Sequence, residues 1–258
     1  SQTQFANRHH IFLLFDNFSP YKEELYNSIN QGLGEGSSVD IYFHHNNQTT
    51  YKKLINDASG NYTAYIIMPM ENPAMDDFLL NTMTGKNVYI VDRCSEKLRK
   101  RYSHIIQNYR QDVIKNMSRG LDKIKKYKRI RFINCSTRPH IIEIGAGLSA
   151  FALKYDFLYE EVEKSAGIKI HKGDLFVVIE DQDLVTLIEQ SEELNFNLGN
   201  EIGIISYNET QLKKVIANGI TTVSTDFSLM GRTLAGMVIN KTRDRKYNKS
   251  RIIIRNSI

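Results

Sequence analysis

Residues 129–155 read RIRFINCSTRPHIIEIGAGLSAFALKY, and the fold turns on how the middle of this stretch is taken. Arg129–Ile133 is a short apolar-rich run of strand length. Ile141–Ser149 (IIEIGAGLS) then has two readings. In one, an apolar strand enters the turn Gly145-x-Gly147-x-x-Ala150. Glycines there let the backbone approach a phosphate or a methyl-donor cofactor at a helix N-terminus. Glu163, about 20 positions on, would take the ribose hydroxyls. In the other, a helix begins at Pro139, where its missing N–H costs nothing. Ile142, Gly145, Leu148, Ala152 and Tyr155 then form one face, and the glycines permit close packing. The helix is preferred, because Arg129–Ile133 is already a good strand and leaves little chain for a second.

Outward from this stretch, short buried runs alternate with amphipathic segments. Before it, strands are expected at His10–Phe15, Ser38–His44, Ala64–Met68, Val88–Asp92 and near Ile105-Ile106. Helices are expected at Tyr21–Leu33, Tyr51–Ala58, Ala74–Asn81 and Tyr109–Tyr127. In the first of these, Leu25, Ile29 and Leu33 repeat at spacing four. After it, strands fall at Asp174–Ile179, Ile202–Ser206, Thr221–Ser224 and Arg251–Ile254. The helices between them are Asp183–Glu193, Glu209–Ala217 and Ser228–Asn240. Such alternation implies α/β architecture with mostly parallel sheets covered on both faces. That many strands in 258 residues overfill one open sheet, so two Rossmann-like lobes are expected.

Composition narrows the class. Hydrophobic residues make up 41% and charged residues 24% of the chain, which excludes a disordered segment. No apolar run approaches the roughly 20 residues that cross a bilayer, so no membrane partner is expected. The first ten residues lack the apolar core of a signal peptide. Cys94 and Cys135 form no paired spacing and read as two buried thiols. The doublets His9-His10 and His44-His45 lack the i, i+4 spacing of a helical metal site. The net charge is +5. The basic runs at 98–102, 123–131 and 243–249 carry no interleaved aromatic platform and read as solvated faces.

The C-terminal third carries a recognisable order: Asp181–Leu187 (DQDLVTL), Gly203–Glu209 (GIISYNE) and Gly219–Met230 (GITTVSTDFSLM). It resembles the effector-binding domain of LacI-type repressors, in the version some GntR-type regulators carry behind a winged-helix DNA reader. Further matches are Phe15-Asp16 with Ser19-Pro20-Tyr21, Val91-Asp92-Arg93, and Gln107-Asn108. One departure is Ile144, which stands where the family commonly has an arginine; Arg138 is the expected substitute. The resemblance implies a periplasmic-binding-protein-like type I fold hinged by three crossovers. The lobes are expected to comprise residues 1–127 plus 227–243, and 128–226 plus 244–258. A DNA-binding domain is expected upstream of residue 1.

What the resemblance implies for function is a cytoplasmic, dimeric sensor without enzymatic activity or cofactor. A monosaccharide effector, a pentose or a 6-deoxyhexose, would bind between the lobes and alter affinity for operator DNA. A sugar needs paired donors and acceptors and an aromatic wall, and in parallel sheets such groups gather at strand C-termini. The first-lobe candidates are Asp16, Asp92 and Arg93, with Phe18 and Tyr21 as stacking surface. Asn108, Arg138, Asp183, Tyr207 and Asn208 follow, and Asp226 stands at the last large helix. Arg93→Ala is expected to abolish binding with little loss of fold. The alternatives are an extracytoplasmic sugar-binding protein of a transporter and a nucleotide- or methyl-donor-dependent enzyme using Gly145–Ala150. No nucleophile–base pair is visible, and neither Ser136 nor Ser206 lies in a G-x-S-x-G elbow.

Overall fold

The computed structural model describes residues 8–134 and 136–258. Cys135 lies outside them; Cys94 is partly buried and free. The chain divides into two compact units, which it enters alternately. The first comprises residues 1–107 and 226–249, the second residues 108–225 and 250–258.

The first unit is built on β1 (His10–Phe15), whose residues alternate between two cores. Ile11, Leu13 and Phe15 enter one, and Phe12 and Leu14 enter the other. Burial on both faces is why the run is apolar throughout. Around β1 stand β2 (Ser38–Phe43), β3 (Ala64–Ile67), β4 (Val88–Asp92), β5 (Ser103–Ile106) and β11 (Arg245–Tyr247). The order is β11-β5-β4-β3-β1-β2, and all pairs are parallel. Helices α1 (Pro20–Leu33) and α9 (Phe227–Asn240) cover one face through Leu25, Ile29, Met230 and Leu234. They approach closely: a Cβ on Gly231 would stand 2.6 Å from that of Ser28. On the other face, α2 (Gln48–Ala58) and α3 (Pro73–Thr82) bury Tyr51, Ile55, Met75 and Leu79, and α4 (Glu96–Arg101) adds Leu98.

The second unit repeats the plan. Its sheet runs β12-β10-β9-β8-β6-β7, with β6 (Arg129–Ile133), β7 (Leu158–Val162), β8 (Asp174–Val178), β9 (Gly203–Tyr207) and β10 (Thr221–Thr225) parallel. β12 (Ser250–Ile253) closes the edge antiparallel to β10. Helices α5 (Tyr109–Arg119) and α7 (Pro139–Lys154) lie on one face, where Val113, Met117, Ile144, Leu148 and Phe151 form the core. Helix α8 (Asp181–Glu193) covers the other with Leu184 and Leu187.

The glycine motif is therefore helical. Gly145 and Gly147 lie inside α7, and a Cβ on Gly147 would meet the Arg110 carbonyl at 2.8 Å. Gly147 lets α7 approach α5, and Gly145 faces Phe132 of β6 and Glu161 of β7. One detail of the expected face is corrected: Ile142 is 55% exposed, and Ile141 and Ile144 are the buried isoleucines.

Other expectations are also revised. The helix expected over 109–127 stops at Arg119, and a single turn, α6 (Leu121–Ile124), follows Gly120. Segment 108–127 groups with the second unit, because Val113, Met117, Ile124 and Tyr127 bury in its core; 244–249 groups with the first, where β11 pairs with β5. The expected helix at 209–217 is two short 3-10 turns, Leu212–Lys214 and Ile216–Asn218, broken where Ala217 takes a left-handed backbone (φ 46°). Arg131, read as part of a solvated basic face, is buried against Asp174 at 3.3 Å and Glu160 at 3.0 Å. Among the described residues no helix is long and apolar enough to cross a membrane.

Candidate functional site

In an open parallel sheet, ligand crevices form outside strand C-termini where the strand order reverses. In the first unit that point lies between β1 and β3, since β2 is laid on one side of β1 and β3 on the other. Asp16 directly follows β1. Glu71 lies four residues beyond β3, and Arg93 directly follows β4. These positions converge. Asp16 accepts from the Lys22 ammonium and, at 2.5 Å, from the Arg93 guanidinium. Arg93 also lies 3.3 Å from Asp92 and 3.9 Å from Glu71. Asp92, held in a left-handed backbone (φ 73°), accepts from the Gln107 amide at 2.5 Å.

Asp16, Lys22, Asp92 and Arg93 are all 5% exposed or less. Burying such groups is costly unless each is paired. Burial alone would raise the pKa of Asp16; the neighbouring charges of Arg93 and Lys22 outweigh it and hold the carboxyl well below its ordinary range. Burial lowers the pKa of Lys22, against the pull of Asp16. Tyr21 stacks on Phe227, with ring centroids 4.5 Å apart. Burial raises its phenol, and the Asp92 and Asp16 carboxylates add to the rise, so it remains a neutral donor. His44, at the end of β2, is pushed by burial down to about 4; it is neutral near pH 7 and lies 3.2 Å from the Met68 carbonyl.

Phe18 stands apart from this cluster. It is 68% exposed, with its ring 6.2 Å from Phe43. Asp226 caps α9 by accepting from the Leu229 amide at 2.8 Å, and its carbonyl takes the Asn248 side-chain amide at 2.8 Å.

In the second unit the sheet order reverses between β6 and β8. Arg138, at the start of α7, donates from Nε to Ser136 at 3.1 Å and lies 3.9 Å from Glu180, just past β8. Asp183 is engaged elsewhere: it accepts from the Ser165 hydroxyl at 2.5 Å, tying α8 to the loop after β7. Tyr207 ends β9 with a buried hydroxyl that has no hydrogen-bond partner among the described residues, and burial raises its pKa, with Asp112 adding to the rise. Asn208 follows in a left-handed conformation (φ 61°) that turns the chain away from the sheet. Lys213, 3% exposed, donates to the Tyr207 carbonyl at 2.9 Å and the Asn208 carbonyl at 3.1 Å, and pairs with Asp181 at 2.9 Å. Asn108 precedes α5, where its backbone amide donates to Asp112 at 3.2 Å. Ile144 is a core residue, 2% exposed.

The sequence-derived set thus gathers in part. Asp16, Asp92 and Arg93 form one network, and Tyr21 feels its charges. Asp183 and Asp226 are held by structural hydrogen bonds within their own units. Lys22, Glu71 and Lys213 were missed. Lys22 had a signal, since it precedes Leu25 and Ile29 on the buried stripe of α1. Glu71 lies in a loop and Lys213 in a single 3-10 turn, both too short for periodicity to mark.

The family model described as a periplasmic binding protein-like domain matches residues 126–258, just over half of the chain. The chain belongs to that family. Its fold is the type I form, with two α/β units of mostly parallel strands. Three solved structures place the likeness in detail. A LacI family transcriptional regulator from Silicibacter pomeroyi superposes with a TM-score of 0.78 at 9% identity, over 96% of this chain and 98% of that one. The transcriptional regulator CelR in complex with cellobiose gives 0.78 at 11% identity, over 100% and 88%. A periplasmic binding protein/LacI transcriptional regulator from Alkaliphilus metalliredigens, complexed with D-xylulofuranose, gives 0.75 at 13% identity, over 96% and 98%. At these identities the likeness is one of fold. No curated protein sequence matches the chain.

Proposed function

We propose that this chain is the sugar-sensing part of a LacI- or GntR-type transcriptional regulator. Its effector is a monosaccharide, a pentose or a 6-deoxyhexose. Binding changes the DNA affinity of a winged-helix module preceding residue 1, and the regulator acts in the cytoplasm as a homodimer. It performs no catalysis and uses no cofactor.

The observation that carries this reading is the buried network of Asp16, Lys22, Asp92 and Arg93 at the point where strand order reverses. Its cations and carboxylates largely neutralise each other, which favours an uncharged ligand over a phosphorylated one. Carboxylates accept from hydroxyls and a guanidinium donates to them, so the network holds both kinds of partner that a sugar needs. Tyr21 supplies a ring beside it, and Phe18 is the exposed aromatic that a ligand would cover. Asn108, Arg138, Asp183, Tyr207 and Asn208 are the second unit's proposed contacts, and Asp226, which caps α9, is a proposed contact of the first. Fold relatives solved with cellobiose and with D-xylulofuranose support a carbohydrate as the ligand class.

Differential contact with two arrangements of the protein would supply the coupling to DNA. The test is a calorimetric screen of pentoses, hexoses and 6-deoxyhexoses against the chain as it stands. A saturable heat for at least one sugar, lost in Arg93→Ala, is expected. Heat that is unchanged in that variant refutes the assignment of the first unit's contacts.

A further inference from the structure

The second unit has a cavity of about 520 Å³ at the opposite end of its sheet from the strand C-termini. It lies at the first residues of β6 and β7, roughly 13 Å along the strands from their last residues. Its size falls within the usual range of small-molecule sites, about 300–1,000 Å³. The walls are aromatic: Tyr127, Tyr155 and Phe157. Two of these rings are fixed from behind by the fully buried Phe151, 4.9 Å from Tyr155 and stacked at 5.7 Å on Phe157. Leu158, also lining, is 68% exposed, and neighbouring Leu153 is 86% exposed. Leu158 thus adds an open apolar side chain beside the fixed rings.

The rim is basic. Lys128 makes no ion pair among the described residues. Lys125 has one to Asp122 at 3.2 Å, but those side chains are 66% and 95% exposed, so little of its charge is tied up. The Lys154 ammonium lies 5.0 Å from the Tyr155 ring centre. Asp156 is the lone carboxylate among the lining residues. An apolar, ring-lined hollow with an excess of cations at its lip suits a flat ligand that carries negative charge.

We propose that this cavity is a second ligand site, taking a small organic anion with a planar ring, such as a nucleoside monophosphate. The ring lies against Tyr155 and Phe157, and the anionic group meets Lys125 and Lys128. The site lies within one unit and does not depend on the sugar-sensing reading.

Titration calorimetry with adenosine 5′-monophosphate, adenosine and inorganic phosphate tests it on the chain as it stands. The monophosphate is expected to bind at least about tenfold more tightly than either part, because only it satisfies both ring and charge. A Lys125→Ala/Lys128→Ala variant loses about tenfold for the monophosphate and nothing for adenosine. Tyr155→Ala weakens both. The two lysines are exposed and Tyr155 is half-buried, so the unfolding midpoint of each variant is measured to verify that it folds. The proposal is overturned if the monophosphate does not bind, if phosphate alone binds as tightly, or if the double lysine variant binds the monophosphate unchanged.

Discussion

The Arg93 guanidinium lies 2.5 Å from the Asp16 carboxylate, 77 residues away in the chain, and both side chains are almost wholly buried. Two strand ends are thereby joined by charge at the centre of the first unit. The pair is part of the proposed binding network and part of what holds that unit together.

Arg93→Ala therefore does two things. It is expected to abolish the proposed sugar binding and, because the pair is buried, to destabilise the fold more than the little loss expected from sequence. Removing one partner of a buried ion pair leaves the other uncompensated, at a cost of roughly 3–5 kcal/mol. Urea unfolding reads the loss. Arg93→Lys is expected to recover part of the stability but not the binding, since an ammonium lacks the planar fork. If Arg93→Ala unfolds at the same urea concentration as the parent, the pair has no structural role.

Acid should weaken the protein in a defined window. Burial pushes His44 from 6.5 down to about 4, so the unfolded chain takes up the proton first as pH falls. Stability declines from about pH 6.5 toward pH 4, by up to about 3 kcal/mol. Asp16 acts lower: its folded pKa is depressed below 3.8, so its contribution is present above that value and is lost only as pH falls further. His44→Gln should flatten most of the slope between pH 6.5 and 4.5. Some slope remains, because burial also lowers the pKa of His104. An unaltered slope in His44→Gln would place the titrating group elsewhere.

Gly147→Ala tests the packing role of the glycine motif. The added methyl would stand 2.8 Å from the Arg110 carbonyl and 3.0 Å from the Val113 Cβ. Forcing α5 and α7 apart should cost about 1–3 kcal/mol. Thermal unfolding measures it. The closest atom is backbone and cannot rotate away, so a lowered unfolding midpoint is expected, and an unchanged midpoint would show that α5 yields at no cost.

Lys213→Met removes the donor shared by two carbonyls at the end of β9. Leaving buried acceptors unpaired should cost about 1–3 kcal/mol. Asp181→Ala should cost less than about 1 kcal/mol, because Asp181 is 64% exposed and its ion pair is screened. Chemical denaturation of both variants separates the two contributions; equal losses would mean that the ion pair, rather than the carbonyls, is what Lys213 serves.

Much of the architecture is legible in sequence because burial leaves a periodic trace. His10–Phe15 is apolar at every position since both of its faces are covered, and Leu25, Ile29 and Leu33 mark the stripe of α1. Pro139 tips Ile141–Ser149 toward helix against a competing motif. Legibility fails where geometry departs from regular periods. Leu158–Val162 reads LYEEV and looks solvated, yet it is a strand, because an edge position with Glu160 paired to Arg131 tolerates charge. Residues 209–217 are helical in pattern, but Ala217 turns left-handed and ends the helix before it forms. The site is less legible than the fold. Asp16, Asp92 and Arg93 stand at predictable strand ends. Their partner Lys22 is an ordinary helical lysine until packing encloses it. Asp183 reads as a ligand contact in sequence, and its hydrogen bond to Ser165 across 18 residues is not legible there.

The antiparallel strand β12 has a consequence for biosynthesis. Residues 250–258 complete a unit that begins at 108, and residues 226–249 complete one whose start precedes them by more than a hundred positions. On the ribosome neither hydrophobic core can be sealed when its own first segment has emerged. Both must wait, partly assembled, for the tail of the chain, and β10 must keep a bare hydrogen-bonding edge until β12 arrives. A nascent chain stalled before residue 250 is thus a client for chaperones.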